Sequence, residues 1–148
     1  CSRLWHRDTQ DRRHIKIMVY LNDVDEESGP FEYLPISSTP LNLSLKYALY
    51  STTFLPEKES KKLIPKSKIK SCVGRAGTVV FFEPNGFHHG KMPTLKERHA
   101  VLFKYNSRNP RHPKYCCPDY NQAEFDFLSQ LVPDDQKEYL WQHNIQSK

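Results

Sequence analysis

The strongest constraint on the fold is a set of three strand-like runs, each next to a side chain that can bind a metal or an anion. The runs are residues 15–21, 77–82 and 100–103. The first alternates strictly, with Ile15, Ile17, Val19 and Leu21 on one face and Lys16, Met18 and Tyr20 on the other. Alternation with period two predicts β-strands. A barrel of antiparallel strands could bring together groups that are far apart in the chain.

Two imidazoles and one carboxylate lie beside these runs. His6 and Asp8 are two residues apart, so both side chains lie on the same side of an extended segment. A second histidine, His88 or His89, follows the run 77–82. Two histidines and one carboxylate can hold Fe(II) by one face and leave the opposite face open for a cosubstrate and O₂. The pattern therefore predicts a mononuclear Fe(II) site.

Residues 5–35 and 74–105 resemble the phytanoyl-CoA hydroxylase family of Fe(II)/2-oxoglutarate dioxygenases. The first segment carries His-x-Asp, a strand-like run and an acidic turn before Gly-Pro, and the second carries a strand-like run, the distal histidine and an arginine. The resemblance implies a mainly β fold, the double-stranded β-helix of the jelly-roll or cupin-like type. It also implies that residues 1–106 form the C-terminal portion of this core, and that residues 107–148 form an irregular and helical extension of the same domain.

The same resemblance implies that Fe(II) is held by His6, Asp8 and the distal histidine. Adjacent residues of a strand point to opposite faces, so only one of His88 and His89 can join the other two ligands. The family pattern has a proline four residues after this histidine, which His89 satisfies through Pro93. His89 is accordingly the expected third ligand, and His88 is expected at the surface or behind the ligands.

The resemblance also implies that Arg98 binds 2-oxoglutarate. It opens the last strand-like run nine residues after His89, a shorter interval than is usual in the family. A guanidinium stays charged and can pair with a carboxylate through two parallel hydrogen bonds. A structural ion pair with Glu97 is the alternative role for Arg98. Arg75 and Arg108 are weaker candidates because neither opens the last strand.

The resemblance, together with these residues, implies a 2-oxoglutarate-dependent hydroxylase that acts on an unactivated C–H bond of a small-molecule or acyl substrate, with succinate and CO₂ as coproducts. Two alternatives stay open. One is an inactive β-helix domain that binds ligands or partners, and the other is a cupin-like metalloenzyme that does not use 2-oxoglutarate. Arg98 would have no evident task in the latter.

Composition and charge limit which binding partners and which cellular compartment can be expected. The 148 residues carry a net charge of +5, and lysines cluster between Lys58 and Lys70. This cluster is either a solvated loop or a surface that steers an anionic substrate. No nucleic-acid partner is predicted, the oligomeric state is not indicated, and no apolar run is long enough to span a membrane. The four cysteines lack a regular disulfide spacing, which favours a reducing compartment such as the cytoplasm.

The remaining segments carry weaker patterns. Residues 36–66 fit an alternating strand and a helix about equally, whereas residues 121–131 and 133–141 are predicted to be C-terminal helices that pack outside the barrel. The chain begins at Cys1, only five residues before His6. Since the family's first core strands precede His-x-Asp, we expect a fragment of a longer protein, with an incomplete barrel and uncovered apolar edges.

Overall fold

The computed structural model describes residues 3–49, 54–107, 109–112, 115–116 and 121–139. Its regular elements are six β-strands and three α-helices joined by short 3₁₀ turns. The strands are β1 (His14–Tyr20), β2 (Phe31–Leu34), β3 (Lys70–Cys72), β4 (Val79–Phe82), β5 (Phe87–Gly90) and β6 (Ala100–Asn106). The helices are α1 (Leu41–Leu49), α2 (Glu57–Leu63) and α3 (Gln122–Leu131).

The strands form two three-stranded sheets, ordered β4-β1-β6 and β3-β2-β5. The pairs β1–β4, β2–β3 and β2–β5 are antiparallel. The predicted mainly β, antiparallel character is therefore confirmed. The predicted runs 15–21 and 77–82 are found within two residues of their expected bounds, and the run 100–103 is the first part of β6. The strand β5 was not predicted, and it carries both candidate histidines. Whether residues 1–106 and 107–148 belong to one domain stays a prediction.

One apolar core lies between the two sheets. Its buried members are Met18, Tyr20 and Phe82 from one sheet, Phe31 from the other, and Val24 from the loop that follows β1. The hydroxyl of Tyr20 donates a hydrogen bond of 2.6 Å to the carbonyl oxygen of Cys72, which joins β1 to the opposite sheet. The inner face of β1 is thus the one that carries Lys16, Met18 and Tyr20, and the more apolar set, with Ile15, faces outward.

A second apolar core covers the outer face of the β3-β2-β5 sheet. It contains Trp5, Leu34, Leu43, Leu55, Ile64 and Phe87. The ambiguous segment 36–66 supplies much of this layer, and its two helices settle the ambiguity in favour of helix. Leu43 and Tyr47 lie one helical turn apart on the face of α1 that packs on the core, whereas Leu41 and Leu45 are exposed.

The helical insertion is therefore expected to contribute to stability. Leu43 is fully buried, so Leu43→Ala should lower the free energy of unfolding by about 2 to 5 kcal/mol through lost burial and a residual cavity. Leu41 lies on the same helix and is 73% exposed, so Leu41→Ala should cost less than about 0.5 kcal/mol. Denaturant unfolding of both variants measures the difference, and equal effects would show that α1 does not pack on the core.

Several large apolar side chains of the β4-β1-β6 sheet are exposed. They lie on all three strands, and they are Ile15, Val79, Phe81, Val101, Leu102, Phe103 and Tyr105. Both β4 and β6 are edge strands of this sheet. This sheet therefore presents an apolar surface to solvent, and the incomplete barrel stays a prediction.

The chain divides into two compact units. The first comprises Cys1–Thr9 and His14–Tyr105, and the second comprises Gln10–Arg13 and Asn106–Lys148. The second unit contains α3, where the side chain of Asn121 accepts from the amide of Glu124 in a reciprocal capping box. The predicted helix 121–131 is thereby confirmed. Of the predicted helix 133–141, Asp134–Tyr139 forms a 3₁₀ helix, and Leu140 and Trp141 lie outside the described residues.

None of the described helices combines the length and the apolar character needed to cross a bilayer.

Candidate metal centre

Three buried side chains come together beside the apolar core that lies between the two sheets. His6, Asp8 and His88 each offer a ligand atom, and these atoms lie within 4.8 Å of one another. His6 Nε2 is 3.9 Å from Asp8 Oδ1, and His88 Nε2 is 3.9 Å from Asp8 Oδ2. Within the described residues this is the one group of three or more such side chains. Metal–ligand bonds near 2 Å would fit between atoms spaced in this way.

The third member of this group is His88 and not the predicted His89. The backbones of His6 and His88 exchange two hydrogen bonds, of 3.0 and 2.9 Å, so the two residues form a directly paired bridge. Paired residues project their side chains to the same face. His88 therefore joins His6 and Asp8 inside, and the alternation of β5 sends His89 to the outer face.

His89 has its own partners on that outer face. Its Nε2 lies 2.8 Å from the carboxylate of Glu32, and its Nδ1 lies 2.9 Å from the carbonyl oxygen of Arg3. Its ring packs against Trp5, with the ring centroids 4.2 Å apart. Both ring nitrogens are thus engaged in a structural contact, and the structure groups His88, instead of the predicted His89, with His6 and Asp8.

The position of β5 depends on a close approach at its start. A Cβ atom added to Gly86 would lie 2.3 Å from the hydroxyl oxygen of Tyr33. Tyr33 pairs with His88 in the sheet, and its hydroxyl donates to the carbonyl oxygen of Glu83. Any side chain at position 86 would require the ring of Tyr33 to move, which would also disturb its hydrogen bond to Glu83.

The two inward histidines present the same ring nitrogen to the centre. His6 Nδ1 lies 2.8 Å from the carbonyl oxygen of Leu4, and His88 Nδ1 lies 2.9 Å from that of Gly86. A carbonyl oxygen can only accept a hydrogen bond, so each Nδ1 carries the proton and each Nε2 carries a lone pair. Metal-binding histidines are commonly oriented by such a bond from the second nitrogen.

The protonation states also suit a metal. Burial lowers the pKa of His6, and burial lowers the pKa of His88 to about 4, so both imidazoles are neutral at neutral pH. Burial alone would raise the pKa of Asp8, but the neighbouring Lys16 ammonium outweighs it and the pKa is lowered. The centre therefore offers two neutral imidazoles and one carboxylate, the forms in which these side chains bind metals.

Lys16 is a member of the site that sequence reasoning missed. It projects from the inner face of β1, and its ammonium forms an ion pair with Asp8 Oδ2. Both side chains are almost buried, with 14% and 9% of their surface exposed. The alternation of residues 15–21 placed Lys16 on one face with Met18 and Tyr20, but it did not indicate that this face is the interior.

Aromatic rings enclose His88 on its apolar side. The centroids of Phe31 and Phe82 lie 5.7 and 5.4 Å from that of His88, and the two phenyl rings lie 4.4 Å apart. The ring of His6 is 4.3 Å from that of His88 on the other side. The imidazoles are thus held by packing as well as by hydrogen bonds, which limits their rotation.

Arg98 lies beside Tyr20, at the other end of the inner face of β1. Burial raises the pKa of Tyr20 and of Cys72, and the Arg98 guanidinium opposes both shifts. Arg98 Nη1 is buried and has no hydrogen-bond partner among the described residues. Tyr20 follows Lys16 by four residues on one face of β1, a separation of about 13 Å along the strand. An unpaired buried donor is costly, and an anion would satisfy it.

The structure describes one of the two alternative arginines. Arg75 is exposed, in the turn that precedes β4, and Arg108 lies outside the described residues. The backbone beside Arg98 is fixed by two hydrogen bonds. The amide of Leu21 donates to the carbonyl oxygen of His99, and the amide of His99 donates to Asn22 Oδ1. Arg98 itself precedes the first residue of β6 by two positions.

A separate cavity of about 760 Å³ lies on the outer face of the β3-β2-β5 sheet. Its lining includes Trp5 and His89 together with Lys61 and Lys66 from the lysine cluster. The side chains of His6, Asp8 and His88 do not line it. The prediction that the lysine cluster steers an anionic substrate is not tested by this arrangement.

Comparison with known proteins gives one matching family model and one related enzyme. Residues 2–100 match the family model described as "Phytanoyl-CoA dioxygenase (PhyH)". The chain is also 25% identical over 141 residues to the L-proline trans-4-hydroxylase of Streptomyces griseoviridis, an alignment that covers 74% of this chain and 50% of the relative. The chain thus spans about half the length of that relative.

The fold resembles that of solved structures. EctD from S. alaskensis in its apoform matches with a TM-score of 0.52 and 21% identity, covering 70% of this chain and 38% of EctD. The same protein with 2-oxoglutarate and 5-hydroxyectoine matches with a TM-score of 0.51 and 20% identity, with the same coverage. At this level of identity the likeness shows a common fold.

Proposed function

Because the chain belongs to the phytanoyl-CoA dioxygenase family, we propose that it carries the metal and cosubstrate site of an Fe(II)/2-oxoglutarate-dependent hydroxylase. The observation that carries this proposal is the buried group of His6, Asp8 and His88. Two imidazoles and one carboxylate on one side of an ion are the ligand set of such oxygenases. The two sheets are accordingly assigned to a double-stranded β-helix.

His6 and His88 would bind the metal through Nε2, since each Nδ1 donates to a backbone carbonyl. Asp8 would bind it through one carboxylate oxygen. Fe(II) together with 2-oxoglutarate and O₂ supplies the oxidant for hydroxylation of an unactivated C–H bond, with succinate and CO₂ as coproducts. The protein's part is to hold these ligands in one orientation and to keep water away from them. The Phe31 and Phe82 rings serve that second task.

Arg98 would bind the distal carboxylate of 2-oxoglutarate. Its Nη1 is a buried donor without a partner among the described residues, and a carboxylate accepts two parallel hydrogen bonds from a guanidinium. This supports a cosubstrate role for Arg98 over an ion pair with Glu97.

The substrate is proposed to be a small molecule or an acyl group. The relatives named above include a hydroxylase of L-proline and a structure containing 5-hydroxyectoine. L-proline is therefore a suitable first member of a substrate panel. The positive charge of this chain, +5, is compatible with an anionic substrate.

The proposal predicts succinate formation by the full-length protein. Supplied with Fe(II), 2-oxoglutarate and O₂, the protein should release succinate, and omission of either Fe(II) or 2-oxoglutarate should abolish the release. Asp8→Ala should lower the rate at least about a hundredfold, since even removal of a group that supports a ligand costs 10- to 100-fold. Asp135 is exposed, and Asp135→Ala is the matched control.

The outcome also separates the two alternatives. A cupin-like enzyme would bind metal through the same three residues without consuming 2-oxoglutarate. An inactive binding domain would release no succinate under any condition. Quantifying succinate together with bound metal distinguishes these results from those of a hydroxylase.

A further inference from the structure

Lys16 occupies a position that the proposed function does not explain. It is the one cation in ion-pair contact with Asp8, and among the described residues Asp8 is the one carboxylate within 4 Å of its ammonium. A buried charge is strongly unfavourable unless it is paired. In the protein without metal, the Lys16–Asp8 pair therefore compensates both buried charges.

A divalent metal at His6, Asp8 and His88 would disturb this balance. The ion and the Lys16 ammonium would then share a single carboxylate and repel each other. No second acid is available from the strands, because the one acidic residue in the six strands is Glu32, which lies on the outer face with His89. The interior would carry excess positive charge until an anion enters.

The side chain of Lys16 is suited to a change of partner. Its ammonium is a compact charge with three donors at the end of a flexible four-carbon stem, so it can move to a new acceptor without a movement of the backbone. Its backbone is fixed by the pairing of β1 with β4, where Lys16 lies opposite Phe82. The available anion in the proposed reaction is the carboxylate of 2-oxoglutarate that binds at the metal.

We propose that Lys16 leaves Asp8 when the metal binds and pairs with the metal-bound carboxylate of 2-oxoglutarate. This inference rests on the proposed function. Its consequence is a coupling between two binding events, since Lys16 opposes the binding of the metal alone and favours the binding of metal and organic acid together. Coupling of this kind is reciprocal, so 2-oxoglutarate and metal raise each other's affinity by the same factor.

Calorimetric titration of the full-length protein with Co(II), used as an air-stable substitute for Fe(II), tests the proposal. Lys16→Met removes the charge and keeps a similar volume, so it should bind Co(II) alone about tenfold more tightly than the wild type. The increase in Co(II) affinity produced by saturating 2-oxoglutarate should be about tenfold smaller in Lys16→Met. Lys16→Arg keeps the charge and should retain most of the coupling.

Two further variants complete the design. Lys16→Gln is a second neutral replacement that should repeat the behaviour of Lys16→Met, and thermal melts establish that both fold. Lys68 is exposed, so Lys68→Met should match the wild type in both titrations. A lysine with a purely structural role would not shift the two measurements in opposite directions.

The outcomes separate this inference from the proposed function. If Lys16→Met binds Co(II) more weakly than the wild type, or shows unchanged coupling to 2-oxoglutarate, Lys16 does not change its partner from Asp8 to 2-oxoglutarate. Either result would leave the proposed metal site intact. A wild-type protein that binds no Co(II), or whose Co(II) affinity does not respond to 2-oxoglutarate, would overturn the proposed function itself.

Discussion

Replacing His88 with alanine is expected to lower metal affinity by at least about a hundredfold and to abolish succinate formation. The variant keeps one imidazole and one carboxylate, too few to hold a divalent ion against water, and loss of a supporting group alone costs 10- to 100-fold. The measurement is Co(II) titration followed by determination of bound metal after dialysis. Circular dichroism and a thermal melt establish that the variant is folded.

The matched control is the neighbouring residue. His89→Ala makes the same chemical change one position away, where the ring contacts Glu32 and Trp5 instead of Asp8. It should bind Co(II) like the wild type and lose about 1 to 2 kcal/mol of stability with its hydrogen bonds. Loss of metal binding in His89→Ala and not in His88→Ala would restore the assignment drawn from the family pattern.

Replacing Arg98 with alanine should raise the 2-oxoglutarate concentration needed for half-maximal succinate release at least about a hundredfold. Each hydrogen bond to a charged group contributes about 1.5 to 3 kcal/mol, and two such bonds are lost together. A difference of about 1.4 kcal/mol corresponds to a factor of ten. Co(II) affinity without 2-oxoglutarate should stay within about threefold of wild type, because Arg98 lies away from the ligands.

Two further substitutions sharpen this result. Arg98→Lys should recover little of the lost affinity, since an ammonium is a point charge and cannot form the two parallel bonds of a guanidinium. Arg75→Ala removes an exposed arginine from the same unit and should leave the 2-oxoglutarate curve unchanged. Identical curves for the wild type and Arg98→Ala would contradict the assigned role of Arg98.

The strands were predictable because most of them carry a local signal. The alternation in residues 15–21 and the β-branched and aromatic residues of 79–82 are consequences of backbone geometry, and they appear in the structure within two residues of expectation. The segment 36–66 lacked such a signal. Leu43 and Leu45 alternate as in a strand, and only packing of Leu43 and Tyr47 on the second core selects the helix.

The choice between the two histidines was not accessible to the same reasoning. Alternation separates Phe87 and His89 from His88 and Gly90, but both faces of this sheet are covered, one by the opposite sheet and one by the helical insertion. Hydrophobicity therefore does not indicate which set faces the interior. The backbone pairing of His6 with His88 decides it, and this contact joins residues more than eighty positions apart.

Lys16 was missed for a related reason. A lysine among apolar residues in an alternating strand normally marks the solvent face, and in β1 the outward face is instead the one with Ile15, which is 41% exposed. The charge is tolerated inside because Asp8 lies within ion-pair distance. The ion pair between Lys16 and Asp8 depends on the folded structure, and no local pattern in the sequence indicates it. For this reason the face of β1 that carries the lysine is the interior face and not the solvent face.

Tandem histidines create a hazard of strand slippage that the close approach at Gly86 removes. If β5 shifted by one residue, His89 would take the place of His88, and an imidazole would still face Asp8. The chemistry of the centre thus does not select between the two alignments. The same shift would carry Phe87 into the position of Gly86, where a Cβ would lie 2.3 Å from the hydroxyl oxygen of Tyr33 and the ring would have to move. The missing side chain at position 86 therefore disfavours the shifted alignment of β5.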